Sequence, residues 1–276
     1  MQGNLLLNID PPPGQLREKT ERLRRILAAC QPAVLAVSGG IDSRLLAGCA
    51  RVWSLDIQGL IMTGPQFASQ DTEQAAGQLS RLGLTYHVQP VDTLRLPEVS
   101  SNSRQRCYAC KKALFQAALD RAEQLGASCV LEGSQRSDEA EHRPGRRALD
   151  ELGVVSPLLQ AGMFKPEVRA LAAHFGLPDP QQPSRPCLLT RFKYDSTVTH
   201  EELEQVAWLE AAISRLGFGD FRVRVPEPGR CFLQIMEADR PLAEVQAGRL
   251  EELIERSGFR HGSVRITERI SGFFDQ

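Results

Sequence analysis

The sequence predicts an α/β protein built on a parallel sheet, followed by a second, smaller α+β domain. Three observations lead there. Between residues 33 and 131, short apolar runs of strand length alternate with stretches of helix length, the order that builds βαβ units. The first run, Ala33-Val-Leu-Ala-Val37, breaks at Gly39-Gly40 and resumes with helical apolar spacing, as a buried parallel strand does when it turns into a helix. After a proline-rich stretch from Pro178 to Pro186 the pattern changes, and Phe221-Arg-Val-Arg-Val225 alternates as a half-buried strand.

In chain order, residues 1–14 form a flexible arm ending in Pro11-Pro12-Pro13-Gly14, a run that no helix accepts. The α/β domain is assigned to 15–177 and the smaller domain to 178–276. Leu16, Leu23, Ile26 and Leu27 mark an amphipathic helix before the first strand. A second strand over 57–62 closes at Thr63-Gly64-Pro65, a helix over 71–82 ends at Gly83, and a third strand covers 84–88. A helix over 110–125 stops at Gly126 and a fourth strand covers 129–131. Lys165-Pro166-Glu167 opens a short helix that ends at Gly176. In the smaller domain Thr199-His-Glu-Glu202 is a capping box for a helix bearing Leu203, Val206, Leu209, Ile213 and Leu216 on one face. Strands over 221–225 and 231–235, one helix over 242–254 and a last strand over 264–267 complete it.

Bulk composition narrows the function. The 276 residues are 42% hydrophobic, enough for ordinary cores. Apolar runs are all of strand length and no basic leader precedes an apolar one, so a cytoplasmic protein with no membrane partner is expected. Seven cysteines, an odd number, argue for reduced thiols over a disulfide framework. A net charge of −1 argues against a broad nucleic-acid-binding face.

The chemistry concentrates in two places. Gly39 and Gly40 remove side chains where the backbone must approach a ligand closely, and the helix that follows presents N–H groups suited to a phosphate. Ser38 and Ser43 add hydroxyls. Neither Walker A spacing nor Gly-x-Gly-x-x-Gly is present. The plainer alternative is a Gly-Gly turn with Asp42 as helix N-cap. Ser38-Gly39-Gly40-Ile41-Asp42-Ser43 resembles the PP-loop of the ATP pyrophosphatase superfamily. That resemblance implies that Ser38, Gly39, Gly40, Ile41, Asp42 and Ser43 hold the β- and γ-phosphates of ATP, with Mg2+, while the α-phosphate is attacked. The second place is Arg106-Cys107-Tyr108-Ala109-Cys110-Lys111-Lys112, where C-x-x-C spacing lets two thiols reach one metal and the neighbouring cations favour thiolate. Cys187 lies between Arg185 and Arg191 in a similar electropositive setting, whereas Cys30, Cys49, Cys129 and Cys231 sit in apolar patterns as core residues. Three thiolates suffice for a 4Fe-4S cluster with one open iron. The alternative is an inert C-x-x-C pair and an ordinary loop cysteine.

Together, several marks resemble one family over nearly the whole chain from about Leu16. They are the loop Ser38 to Ser43, the segment Arg106 to Lys111, and Asp138 with His142-Arg143-Pro144-Gly145-Arg146. Pro186-Cys187 followed by Arg191-Phe192, and Arg222-Val-Arg224 after a helix carrying Glu210, complete the set. The family is the ATP-dependent sulfur transferases of the LarE type, which act in nickel-pincer nucleotide cofactor synthesis. The resemblance implies an enzyme that adenylates a carboxylate of a pyridinium-3,5-dicarboxylate mononucleotide and replaces its oxygen with sulfur. It implies catalytic roles for Cys187, Asp42 and Arg191, substrate contacts from Arg191, Arg222, Arg224 and Glu210, and a metal centre on Cys107, Cys110 and Cys187. The cofactors implied are ATP, Mg2+ and a 4Fe-4S cluster, in a homo-oligomer, specifically a hexamer. Sacrifice of the Cys187 sulfur is the alternative within the family; the sulfide donor is open, as is the role of Arg143, Arg146 and Arg147. Lys193-Tyr194-Asp195 departs from the commoner Pro-Tyr-Gly. A tRNA thiolase would need a basic RNA surface, an amidotransferase gives the cysteines no task, and a non-catalytic nucleotide sensor does not explain an intact loop.

Overall fold

A computed structural model describes residues 7, 10, 12–140, 144–183, 185–270 and 272–274. Most of the arm, His142, Arg143 and Ser184 lie outside the described residues. In chain order the elements are α1 (Gln15–Ala29), β1 (Ala33–Ala36), α2 (Ile41–Val52), β2 (Ile57–Thr63), α3 (Ser69–Leu82), β3 (Tyr86–Pro90), α4 (Pro97–Ser100), α5 (Arg106–Gln124) and β4 (Cys129–Leu131). There follow α6 (Pro144–Glu151), α7 (Pro157–Gln160), α8 (Lys165–His174), α9 (His200–Ser214), β5 (Phe221–Glu227), β6 (Arg230–Met236), α10 (Arg240–Val245), α11 (Ala247–Arg256) and β7 (Val264–Thr267). The chain divides into two compact units, one of residues 1–64, 71–91 and 107–185, the other of 65–70, 92–106 and 186–276.

The first unit is α/β. Its four parallel strands run in the order β3-β2-β1-β4, with Ala33 of β1 opposite both Ile57 and Cys129. Every residue of β1 is buried, as expected of a central parallel strand covered on both faces. The order places β1 beside β4 and so brings the loops after both strands to one edge of the sheet, where open α/β sheets bind ligands. Helices α1, α2 and α8 pack through Leu23, Leu27, Leu45, Leu46, Leu171 and Phe175. Gly48 of α2 is what lets Leu177 lie against that helix, since a Cβ there would stand 3.1 Å from Leu177 Cδ1. The third strand starts later than the sequence pattern suggests. The Leu84 N–H still closes the end of α3 on the Leu79 carbonyl, and β3, at the sheet edge, tolerates Pro90 at its end.

The second unit is α+β, with a three-stranded mixed sheet in the order β5-β6-β7. Strands β5 and β6 are antiparallel, and β7 joins β6 in parallel. The Thr199 capping box forms as its sequence predicts, with Thr199 Oγ1 accepting the Glu202 N–H at 3.2 Å. The single helix predicted over 242–254 is instead two helices. Gln246, at φ −96° and ψ 10°, ends α10 and opens α11, and Gly248, a poor helix former, follows it. No helix among the described residues is long and apolar enough to cross a membrane.

Gly59 in β2 faces a close approach from two neighbours: a Cβ there would stand 2.7 Å from Leu79 Cδ1 and 3.1 Å from Tyr86 Cβ. Gly59→Val should therefore destabilise the first unit by about 1–3 kcal/mol through overpacking, read as a lower thermal midpoint by calorimetry.

Candidate functional site

The phosphate-type loop leaves the end of β1 and enters α2. Gly39 takes φ 77°, a value an L side chain rarely adopts, and a Cβ there would stand 3.4 Å from the Asp71 carbonyl oxygen. Gly40, extended at φ −71° and ψ 158°, is the N-cap of α2, so Asp42 sits inside the first turn and is not the cap that its residue type suggests. Ser43 Oγ fixes the turn by donating to the Gly40 carbonyl at 3.1 Å and accepting the Ser38 N–H at 3.3 Å. Ile41 is buried below it. The loop after β4 closes over the same turn, because Gly133 has no side chain: a Cβ there would stand 3.1 Å from both Asp42 Cβ and Ser43 N.

A residue that motif reading passes over completes this corner. Lys165, at the start of α8, donates from Nζ to Asp42 Oδ2, forming an ion pair across 123 positions of sequence. Its own N–H donates to Ser137 Oγ at 3.1 Å, and Gln135 holds Asp138 by two hydrogen bonds, of 3.1 and 2.9 Å. Burial pushes the Asp42 carboxyl above the usual carboxylate range; the Lys165 cation opposes this and the Asp138 carboxylate adds to it. Asp42 Oδ1 is buried with no hydrogen-bond partner. An orphaned carboxylate oxygen beside a second carboxylate is a donor set suited to a hard cation such as Mg2+. Next to it Glu132 accepts from the Ser134 N–H, the Ser134 hydroxyl and the Ser156 hydroxyl.

The cysteines fall into two groups. Cys49 and Cys231 are buried; burial pushes the Cys49 thiol well up and that of Cys231 to about 12. Cys129, also pushed up to about 12, donates to the Cys30 carbonyl at 3.3 Å. Cys30 and Cys129 are half-buried against the core and do not lie wholly inside it, as their apolar patterns had suggested. Cys107, by contrast, is exposed, and Cys110 and Cys187 are half-buried. Helix α5 begins four residues earlier than expected, so Cys107 and Cys110 both lie in its opening turn at i, i+3, on one face. Gly145 of α6 rests on that turn, with Cys107 O and Lys111 where its side chain would be. Tyr108 donates to Glu151 Oε2 at 2.6 Å, and the Arg147 guanidinium lies 4.0 Å over the Tyr108 ring. Arg147 also pairs with Glu151 at 3.3 Å and Arg146 with Asp150 at 3.9 Å. Among the described residues no three His, Cys, Asp or Glu side chains gather closely enough to hold a metal ion. The thiol chemistry of Cys107 and Cys110, at i, i+3 on one helix, suits two ligands of one metal centre.

Cys187 precedes a single 3-10 turn, Leu188–Arg191, in the second unit. The Cys187 carbonyl accepts from the Thr190 hydroxyl at 2.8 Å. Arg191 is buried and donates to Glu210 through both Nε and Nη2 at 2.8 Å, while Nη1 reaches the Pro186 carbonyl and Thr190 Oγ1. Glu210 also accepts the Val223 N–H of β5 at 2.9 Å. Arg222 donates to Asp220 Oδ1 at 2.6 Å, and burial with the nearby Arg191 cation lowers its pKa. Arg191, Glu210 and Arg222 are thus brought together. Arg224, buried on the same strand, donates to Gln234 Oε1, the Thr190 carbonyl and the Ile270 carbonyl, at 2.9, 2.9 and 2.5 Å. Those contacts tie the Cys187 turn to the mixed sheet.

No protein-family model matches the chain. Among curated proteins, one from Synechocystis sp. described as uncharacterized protein slr1717 is 30% identical over 259 residues, 93% of this chain and 97% of that one. The pyridinium-3,5-bisthiocarboxylic acid mononucleotide synthase of Lactiplantibacillus plantarum is 32% identical over 215 residues, 76% of each chain. The tRNA-specific 2-thiouridylase MnmA of Azorhizobium caulinodans is 27% identical and covers 81% of this chain and 70% of its own. A glycine-bearing phosphate loop at the end of a central parallel strand, joined to that degree of likeness, makes this chain a member of the LarE family, the sulfur-transferring synthases of the PP-loop ATP pyrophosphatase superfamily.

Proposed function

We propose that the protein uses ATP to adenylate a carboxylate of a pyridinium-3,5-dicarboxylate mononucleotide and exchanges the activated oxygen for sulfur, in nickel-pincer nucleotide synthesis. The observation that carries this proposal is the corner formed by Ser38 to Ser43, Asp42 with its orphaned oxygen, and Lys165, in a chain similar to a named synthase of that mononucleotide class. A carboxylate is a poor electrophile because oxide would have to leave. Its oxygen attacks the α-phosphorus of ATP, pyrophosphate departs, and the acyl carbon gains AMP as leaving group. The first-turn amides of α2 and the Ser38 and Ser43 hydroxyls would neutralise the β- and γ-phosphates, with Asp42 holding Mg2+ and Lys165 adding positive charge beside it. Arg222 would orient the anionic substrate, a guanidinium being suited to carboxylate and phosphate, while Arg191, its fork taken up by Glu210, would hold the Cys187 turn beside it.

Cys107, Cys110 and Cys187 are the residues proposed to hold a 4Fe-4S cluster, which when bound supplies a sulfide for transfer. A second reading needs Cys187 alone, a half-buried thiol that opens the Leu188–Arg191 turn. In it Cys187 Sγ attacks the acyl carbon, AMP leaves, and a thioester forms. Loss of the Cys187 Cα proton then breaks the Cβ–Sγ bond, leaving dehydroalanine in the chain and a thiocarboxylate on the product. The near-neutral charge of the chain supports a small-molecule nucleotide over tRNA as substrate, and a cytoplasmic homo-oligomer belongs to the same proposal.

Asp42→Asn and Lys165→Met should each slow substrate-dependent pyrophosphate release by at least ~10-fold, as loss of a positioned charged group does. Removing Lys165 takes away the cation that favours ionised Asp42, so its carboxyl should rise further and remain protonated to higher pH. The acid limb of pyrophosphate release in Lys165→Met should accordingly move to higher pH; an unmoved limb would separate Lys165 from Asp42 in function.

Iron and acid-labile sulfide in anaerobically prepared protein distinguish the two sulfur routes. About four irons per chain, lost in Cys107→Ala, Cys110→Ala and Cys187→Ala, is the outcome expected of the cluster. An iron-free protein with dehydroalanine at position 187 after turnover, detected by peptide mass spectrometry, establishes the sacrificial route instead.

A further inference from the structure

Beyond Arg191 and its partners, the segment that carries Cys187 has a second anchor within the same unit. The chain runs on from the 3-10 turn through Phe192-Lys193-Tyr194-Asp195, where the commoner continuation is replaced. Asn102, fully buried and at φ 50°, donates from Nδ2 to the Phe192 carbonyl at 3.1 Å and the Lys193 carbonyl at 2.8 Å. The Asp195 N–H returns to the Asn102 carbonyl at 3.3 Å, and the Val198 N–H to the Ser100 carbonyl at 2.7 Å. Three residues, 100 to 102, thus take up the backbone of 192 to 198 through four hydrogen bonds. Asparagine suits the position twice over, since it tolerates a left-handed backbone and offers two amide hydrogens to two carbonyls.

Tyr194 closes the anchor from the side. Its ring lies 4.1 Å from the Arg106 guanidinium carbon and 4.9 Å from that of Arg104. Arg106 is buried, and it donates to the Asn102 carbonyl at 3.5 Å. Among the described residues no carboxylate pairs with it, and its Nε has no partner. Burying a guanidinium is costly unless something replaces the lost hydration, and here the Asn102 carbonyl and the Tyr194 ring face lie against it. Arg106 is also the residue directly before Cys107.

We propose that Asn102 and Tyr194 are positioning residues for sulfur transfer: with Arg191 at one end of the Cys187–Asp195 segment and the Asn102–Arg106–Tyr194 anchor at the other, the segment is held in one conformation, and the Cys187 sulfur with it. The proposal rests on the role given to Cys187 above. Holding a reacting atom in place converts encounter into an intramolecular step, and small misplacements there are expensive in rate. Tyr194, and not the proline or glycine found more commonly beside it, is the residue of the Lys193-Tyr194-Asp195 triplet that makes the ring contact.

The test compares Tyr194→Phe, Tyr194→Ala, Asn102→Gly and Cys187→Ala. Glycine at 102 keeps the left-handed backbone without strain and removes only the side-chain amide. Three quantities are read: substrate-dependent pyrophosphate release, thiocarboxylate formation, and the rate of Cys187 alkylation by iodoacetamide in metal-free protein, followed by peptide mass spectrometry. Tyr194→Phe, which keeps the ring face, should stay within about threefold of wild type in all three. Tyr194→Ala and Asn102→Gly should form thiocarboxylate ~10- to 100-fold more slowly while pyrophosphate release and the KM for ATP hold, with Cys187 alkylated several-fold faster. Wild-type thiocarboxylate rates in both variants, with none in Cys187→Ala, would overturn the proposal. If Cys187→Ala itself forms thiocarboxylate normally, the role given to Cys187 falls. The alkylation rates still decide the anchoring in that case: faster labelling in both variants upholds it, and four-way equality with wild type and Tyr194→Phe removes it.

Discussion

Everything in the first unit depends on how closely three pieces of chain can approach the opening turn of α2. Gly39 admits the Asp71 backbone from one side and Gly133 admits the loop after β4 from another. Lys165 then reaches Asp42 from α8, which Gly48 and Leu177 seat against α2. A side chain would strain the left-handed backbone of Gly39 and, at Gly133, crowd Asp42 and Ser43, and either change would disturb the turn whose aligned N–H groups suit a phosphate. The parallel register of β1 with β2 and β4 sets the three segments at one edge of the sheet, so the corner is a consequence of topology as much as of the loop sequence.

In the second unit the corresponding constraint is charge. Arg191 and Glu210 are both largely withdrawn from solvent and form a two-pronged pair. Such a pair contributes little net stability, because desolvation offsets most of the attraction, but breaking it by removing one partner is costly. Its effect is specificity of arrangement: α9, β5 and the Cys187 turn can meet in few other ways without stranding a charge. Arg224 extends the same principle with three carbonyl-type acceptors.

Local signals in the sequence were sufficient for much of this. The buried run before two glycines, the Thr199 capping box and a strand opening at Phe221 each depend on neighbours a few residues apart, and each is found where expected, although β5 buries Val223, Arg224 and Val225 in succession and does not alternate as a half-buried strand. Apolar periodicity likewise places Cys49 and Cys231 in the core, whereas Cys30 and Cys129, in similar patterns, are only half-buried, as Cys110 and Cys187 are. What could not be read was pairing over distance. Lys165 looks like an ordinary helix-start residue until the fold sets it beside Asp42, and nothing local says that Gly40, not Asp42, caps α2. The break at Gln246 was missed because apolar spacing runs on across it, and the late start of β3 because Leu84 closes a helix through its backbone, to which side-chain patterns are blind. Asn102, whose two donors serve backbone carbonyls 90 residues away, carried no motif at all.

The second unit is assembled from three separate stretches, 65–70, 92–106 and 186–276. A protein expressed from residue 186 onward would therefore lack the hydrogen bonds that Ser100 and Asn102, at the end of α4, make with its first loop and the Gln66 carbonyl that accepts the Leu188 N–H. During synthesis the ribosome delivers those two short stretches long before their partners exist, so they must wait, unsupported, until nearly the whole chain has emerged. The polypeptide is thus committed to folding as one length, and no single cut yields two independent halves.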